Sequence, residues 1–173
     1  MNEITTQLYS TAYGELLLGS FDEKLCLCDW RYRKMRTTID NRLKKYLKAV
    51  FVDDDNRVLT ETRQQLSEYF NGQRKKFTIP LYMAGSDFQK SVWNELCSIG
   101  YGKTSSYLEL AERIGNNKAV RAVASANGAN AISIIVPCHR VIGSKGDLVG
   151  YAGGLRIKKK LLELENALLA AAF

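Results

Sequence analysis

Apolar and polar residues alternate in three short segments at the start of the chain, Ile4–Thr11, Gly14–Phe21 and Lys24–Trp30, separated by Tyr13-Gly14 and Asp22-Glu23-Lys24 turn signals. They predict a small antiparallel meander. Two helical patterns follow, Ile39, Leu43, Tyr46, Leu47 and Val50, then Leu59, Arg63, Leu66, Tyr69 and Phe70 before a closing Asn71-Gly72. KKFTIPLY, residues 75–82, reads as a last strand. The polar stretch MAGSD at 83–87 reads as a linker, which places one domain at 1–84 and a second at 85–173.

In the second half, Phe88, Val92, Leu96 and Ile99 predict a helix ended by Gly100 and Gly102. Ser106 and Glu109 have capping-box spacing and open another helix that runs to Gly115. Asn116 or Asn117 can cap a third, KAVRAVASAN, so that two short helices flank a Gly-Asn-Asn turn in the manner of a helix-turn-helix. Ala119, Ala122, Ala124, Ser125 and Ala126 leave the third helix with few large side chains, and Arg121 stands among them. Such a surface fits close packing against a neighbouring helix. It equally fits a helix pressed into a DNA groove with one projecting arginine.

Composition narrows the chemistry. The 173 residues hold 25 Lys and Arg, 18 Asp and Glu, four Cys and one His, for a formal charge of +7. A single imidazole excludes a three-His or HExxH catalytic zinc site. The basic excess favours a polyanionic partner. It does not locate one, because residues 1–84 hold 14 basic and 11 acidic residues and residues 85–173 hold 11 and 7. The start, MNEITTQLYS, lacks the basic and apolar regions of a secretory signal, so a cytoplasmic protein with reduced thiols is expected. Cys26 and Cys28 read as packing thiols in a strand. No apolar run approaches the roughly 20 residues of a membrane span, and the terminal ALLAAAF reads as a helix end.

The one histidine follows a cysteine directly, in Ile134-Ile135-Val136-Pro137-Cys138-His139-Arg140-Val141. A thiol becomes a strong nucleophile when a base removes its proton. Adjacent residues can share a proton in a tight turn or through one water, and Pro137 would help fix such a turn; a half-buried thiol beside a surface histidine is the plainer alternative.

Pro137 to Val141, with Ile134 to Val136 before it and Gly150 to Leu155 after it, resembles the active-site signature of the O6-alkylguanine-DNA alkyltransferases. Ser106-Tyr107, Lys118 to Val123, Asn127 to Asn130 and Lys159 to Glu165 resemble the family in the same order, so the likeness is nearly continuous from Phe88 to Glu165. It implies an α/β (α+β) fold, with an N-terminal ribonuclease-H-like domain of a small sheet and helices and a C-terminal winged-helix-like domain for DNA binding and catalysis.

By this resemblance Cys138 takes the alkyl group from O6-alkylguanine, and less readily from O4-alkylthymine, in duplex DNA and keeps it irreversibly, a single turnover. His139 acts through a water as the base, Glu165 orients and charge-balances the imidazole, and Asn130 holds the turn that presents Cys138. A base inside a duplex must be flipped out to meet a thiol. Arg121 resembles the finger that fills the vacated space, and Tyr107 the residue that crowds the 3′ phosphate and donates a proton to the purine. Ala119, Ala122, Ser125 and Arg140 are implied DNA contacts, with Lys90, Lys118, Lys145, Arg156 and Lys158 to Lys160 as further phosphate partners, although the last run also reads as a solvated helix face. Pro137, Val149, Gly150, Tyr151, Ala152 and Gly153 would wall the base pocket, with Ala152 where some relatives carry Ser.

No cofactor and no metal are expected: some animal relatives hold a structural zinc with N-terminal Cys and His, and the chain has no His beyond His139. The additional metal-binding module of the Ada response protein is also missing, so no transcriptional role is implied. The implied partner is double-stranded DNA containing O6-alkylguanine, bound by a monomer, with cooperative assembly on DNA left open. Two alternatives remain, a catalytically silent lesion-binding protein of the alkyltransferase-like type and a helix-turn-helix regulator. Cys138 argues for chemistry, since alkyltransferase-like proteins carry another residue there.

Overall fold

In the computed structural model, which describes residues 1–168, the chain divides into two compact units, Met1–Gly85 and Ser86–Phe173. The first is built on a four-stranded sheet of order β3-β2-β1-β4, with β1 Asn2–Thr11, β2 Gly14–Phe21, β3 Lys24–Trp30 and β4 Ala49–Asp53. The first three strands form the expected meander: β1 pairs antiparallel with β2, and β2 with β3. Asp22 and Glu23 both adopt positive φ, 51° and 60°, as a two-residue type I′ hairpin turn between Phe21 and Lys24 requires. Cys26 and Cys28 are buried in β3, and burial pushes the Cys26 thiol up to about 12.

Helix α1, Arg36–Leu47, buries Ile39, Leu43 and Leu47, and α2, Arg57–Phe70, buries Leu59, Leu66 and Tyr69. Asn56 caps α2 by accepting from the backbone N–H of Leu59. Two expectations need correction. Val50, counted with the first helix, lies in β4, because Lys48 takes a left-handed conformation (φ 49°) that stops the helix and lets residues 49–53 pair parallel with β1. The strand expected over 75–82 shrinks to a single bridge, Leu25 with Leu81. Its two bonds run from Leu25 N–H to the Pro80 carbonyl and from Tyr82 N–H to the Leu25 carbonyl, and Pro80 has no N–H with which to extend the ladder.

Asp29 ties the end of β3 to the start of α1. Its side chain is fully buried, and Oδ2 lies 2.9 Å from Arg33 Nη1 and 3.0 Å from Arg36 Nη1, while Oδ1 accepts from the Trp30 N–H.

The second unit is helical. Helix α3, Asp87–Cys97, starts at a capping box between Ser86 and Gln89, and α4, Tyr107–Arg113, starts at the expected one between Ser106 and Glu109. After α4 the Gly115 N–H donates to Glu112 and the Asn116 N–H to Ala111, the paired bonds of a Schellman stop, with Gly115 at φ 81°. Helix α5, Val120–Gly128, packs against α3 and α4. Neither Asn116 nor Asn117 caps it: its N-cap is Ala119, without a side-chain bond, and Asn116 instead accepts from the Lys118 N–H in the turn. The Trp93 indole N–H donates to the Ala126 carbonyl at 2.8 Å and fixes α5 on α3.

A 3-10 turn, Cys138–Arg140, and helix α6, Leu155–Leu164, complete the described unit. One parallel bridge, Ser105 with Val141, joins the chain before α4 to the chain after this turn. The helix end expected over 167–173 lies outside the described residues from position 169 onward. Among the described residues no helix is long and apolar enough to cross a membrane.

Asp29→Ala leaves two largely buried guanidinium groups without their shared carboxylate. It should destabilise the first unit by about 3–5 kcal/mol, read as a fall in the urea midpoint of its unfolding transition.

Candidate active site

The segment between α5 and α6 has little regular structure, so its buried polar groups need side-chain partners. Asn130 meets part of that demand. Its Oδ1 accepts from the Ile132 N–H at 2.9 Å, and its Nδ2 donates to the Val136 carbonyl at 3.0 Å and the Ile132 carbonyl at 3.3 Å. One buried side chain thus clamps the loop that leads to Cys138. Within that loop Ile134 is held at φ 73°, a conformation that costs a β-branched residue of order 1–3 kcal/mol and persists only where its surroundings impose it.

Cys138 and His139 are consecutive in the 3-10 turn, and both are buried. His139 Nε2 lies 2.8 Å from Glu165 Oε2, just after α6. The same carboxylate accepts from Arg140 Nε at 2.9 Å on Oε1 and from Arg140 Nη2 at 3.2 Å on Oε2, and Arg140 Nη1 donates to the Ile99 carbonyl at 2.6 Å. Burial would raise the Glu165 carboxyl, but the bonds from His139 and Arg140 outweigh it and hold the group down at about 2. Burial, with the positive charges of Arg140 and Lys158, lowers His139 below its ordinary value despite the carboxylate. The arrangement is therefore a neutral imidazole, an ionised Glu165 and a charged Arg140. In the tautomer this network selects, Nε2–H donates to Glu165 and Nδ1 keeps its lone pair. Nδ1 is buried and has no hydrogen-bond partner among the described residues.

Tyr107, at the start of α4, is half-buried. Burial, then the negative charge of Cys138, raises its phenol above the ordinary value against a hydrogen bond from Asn127, so it keeps its proton and senses the sulfur. Asn127 is buried on α5 and was not foreseen at the site. On the other face of α5, Arg121, Ala122 and Ser125 are exposed, while Ala119 is half-buried at the helix start. The small residues therefore serve both readings of that helix, with Ala126 packed inward and Ala122 and Ser125 outward. Val149, Tyr151, Ala152 and Gly153 are half-buried, Gly150 is exposed, Pro137 is buried, and the Tyr151 ring meets His139 edge-on at 6.4 Å between centroids.

Two expectations about cations are corrected. Arg140 does not face solvent as a phosphate contact: it is buried and bound to Glu165 and Ile99. Lys158 is not on the solvated face of α6 but fully buried, with its ammonium on the carbonyls of Val141, Val149 and Gly150. The signal was present in the sequence: Lys158 and Glu165 stand at i and i+7 around Leu161 and Leu162, on the apolar stripe of the helix.

A helix-turn-helix beside a buried thiol, whose neighbouring imidazole is anchored by a carboxylate, defines a class: a nucleic-acid-binding fold that carries a cysteine nucleophile. Comparison with known proteins places the chain within it. Two domain models of one family match in succession, the 6-O-methylguanine DNA methyltransferase ribonuclease-like domain over residues 4–83 and the DNA binding domain over residues 87–167. A methylated-DNA--protein-cysteine methyltransferase of Methanosarcina acetivorans is 53% identical over 160 residues, covering 92% of this chain and 97% of that protein. The inducible methylated-DNA--protein-cysteine methyltransferase of Bacillus subtilis is 48% identical over 123 residues, 71% of this chain and 68% of that one. A crystal structure of Mycobacterium tuberculosis OGT in complex with DNA superposes with a TM-score of 0.79 at 36% identity, covering 99% of both chains. This chain belongs to the 6-O-methylguanine DNA methyltransferase family.

Glu165→Gln removes the negative charge that offsets buried Arg140, and should cost about 3–5 kcal/mol at neutral pH in a urea titration. The carboxyl lies below its ordinary value in the folded state, so the stability it contributes is full above pH 4.5 and disappears as pH falls toward about 2. Melting curves of the native protein should therefore drop across that window, and those of Glu165→Gln should drop less.

Proposed function

We propose that this protein repairs DNA directly, by moving the alkyl group of O6-alkylguanine in duplex DNA onto its own Cys138 in a single turnover. The observation that carries the reading is the unpartnered Nδ1 of a neutral, carboxylate-anchored His139 beside the only cysteine next to a histidine. Nδ1 takes the thiol proton through a bridging water, with Glu165 stabilising the imidazolium that forms. The thiolate attacks the alkyl carbon; the S–C bond forms as the C–O6 bond breaks, and the electron pair stays on the purine. Tyr107, kept protonated by burial, donates the proton that restores guanine, and exchange with solvent discharges the His139 imidazolium and reprotonates the Tyr107 phenolate, so one proton passes in net from thiol to base. Cys138 ends as a thioether, which explains the single turnover.

The sulfur is buried, so the nucleotide must leave the duplex to reach it. Arg121, exposed on α5 between small residues, is suited to occupy the space left in the stack, and Ala122 and Ser125 let the helix approach the groove closely. The loop Val149 to Gly153 supplies backbone groups for the guanine edge, and exposed Lys118, Lys145 and Arg156 supply phosphate contacts in place of Arg140. The partner is double-stranded DNA, bound by a monomer in the cytoplasm, and Asn130 maintains the turn that presents the thiol. A lesion-binding protein without chemistry would have no use for the Cys138, His139 and Glu165 array.

Incubation with duplex DNA carrying labelled O6-methylguanine should transfer label to a Cys138 peptide in a one-to-one burst, abolished by Cys138→Ser with lesion binding retained. Tight binding without transfer would establish the lesion-binding alternative instead. Arg121→Ala should slow repair of duplex DNA at least tenfold while leaving transfer from free O6-benzylguanine within about twofold, a difference of about 1 kcal/mol or more confined to the duplex substrate. Equal losses on both substrates would remove the base-replacement role.

A further inference from the structure

Lys158 is the buried charge for which the alkyl-transfer reading has no task. Its ammonium donates to the carbonyls of Val141 at 2.5 Å, Val149 at 2.5 Å and Gly150 at 3.2 Å. The first acceptor follows the turn that carries Cys138, and the other two belong to the loop proposed to wall the base pocket. An ammonium has three N–H donors, which matches three carbonyls; a neutral amine has two and leaves one of these acceptors without its bond to the lysine. The buried or half-buried titratable and charged groups on the elements around it are Cys138, His139 and Arg140 in the 3-10 turn, Tyr151 in the loop and Glu165 after α6, while Lys145 and Asp147 of the loop and Arg156, Lys159, Lys160 and Glu163 of α6 are exposed. Arg140 and Glu165 satisfy each other, and Cys138 is the group whose negative charge acts on Lys158.

Building on the alkyl-transfer reading, we infer that Lys158 is a positioning residue for the transfer: as a cation it latches the Val149–Gly150 wall to the Cys138 turn and favours the thiolate, and loss of its proton releases the wall. Burial brings the ammonium down to about 8 while the Cys138 charge pulls the other way, so the latch opens at the upper edge of the working pH range. The neighbouring titrations lie elsewhere. His139 is lowered from 6.5 and governs the acid side, and Tyr107 is raised from 10.0, above the window of the latch. A thiolate reaction on a fixed scaffold levels off with rising pH; a lysine latch makes it fall.

The test is the rate of transfer from free O6-benzylguanine to the full chain across about pH 6–9.5, for the native protein, Lys158→Arg and Lys158→Met. The native rate should fall at least ~fivefold between about pH 7.5 and 9.5, as a single group titrating near 8 demands. Lys158→Arg, charged throughout, should lose the falling limb and keep measurable transfer. Lys158→Met should transfer about tenfold more slowly at neutral pH, with no falling limb. Amide exchange in the native protein supplies a measurement that does not depend on a variant folding: the Gly154 amide, which donates to the Tyr151 carbonyl at 3.0 Å within the loop, should lose protection above about pH 8 while α3 and α5 keep theirs. A native rate that stays flat to about pH 9.5, a falling limb that survives in Lys158→Arg, or unchanged loop protection would overturn the latch. Failure of the native protein to transfer at any pH would overturn the alkyl-transfer reading itself, and this inference with it.

Discussion

The second unit depends on one buried carboxylate. Glu165 is shared by His139, which follows Cys138, and by Arg140 after it, so two consecutive residues are oriented by a side chain 26 and 25 positions away. Burying an ion is costly unless it is paired and its remaining lone pairs are occupied. Here both oxygens of Glu165 accept from Arg140, one of them also faces His139, and Arg140 in turn reaches the Ile99 carbonyl. The consequence is chemical as well as structural. With its charge already balanced by Arg140, Glu165 can hold His139 in one tautomer without forcing the imidazole to be charged. A base that is neutral at rest is what a thiol proton requires.

The same logic runs through the rest of the site. An irregular chain carries Cys138 into the interior of the unit, and irregular backbone in a protein interior leaves carbonyls and amides without ladder partners. Asn130 serves the approach to the cysteine and Lys158 the exit from it, each through three hydrogen bonds. Asn130 is neutral and holds its loop at any pH. Lys158 is charged in a site where burial opposes charge, so its hold is conditional. The left-handed backbone of Ile134 lies inside the segment clamped by Asn130, where local strain can be maintained by bonds made elsewhere.

Much of this was legible in the chain. The meander, the capping box at Ser106, the Gly115 stop and the pairing of two short helices follow from local rules, and the structure reproduces them. Errors arose where a local pattern met a tertiary constraint. Val50 kept helical spacing yet joined β4, because the edge of β1 offered a pairing partner that no window of sequence contains. Residues 75–82 had strand composition, but Pro80 left a ladder of one bridge. At the site, the adjacency of Cys138 and His139 was evident, as was the family register that singled out Glu165.

By itself, then, the sequence determined the elements, the helix-turn-helix and the adjacency of Cys138 and His139, since these rest on spacing and on the scarcity of one residue type. Only the tertiary structure decided which charges face water. Arg140, Lys158 and Lys159 look alike in a string of basic residues, yet the fold buries the first two and leaves Lys159 exposed. That choice depends on whether folding brings an acceptor within reach, a carboxylate for Arg140 and three carbonyls for Lys158. Desolvation is repaid only by partners in space, and such partners are distant in the chain.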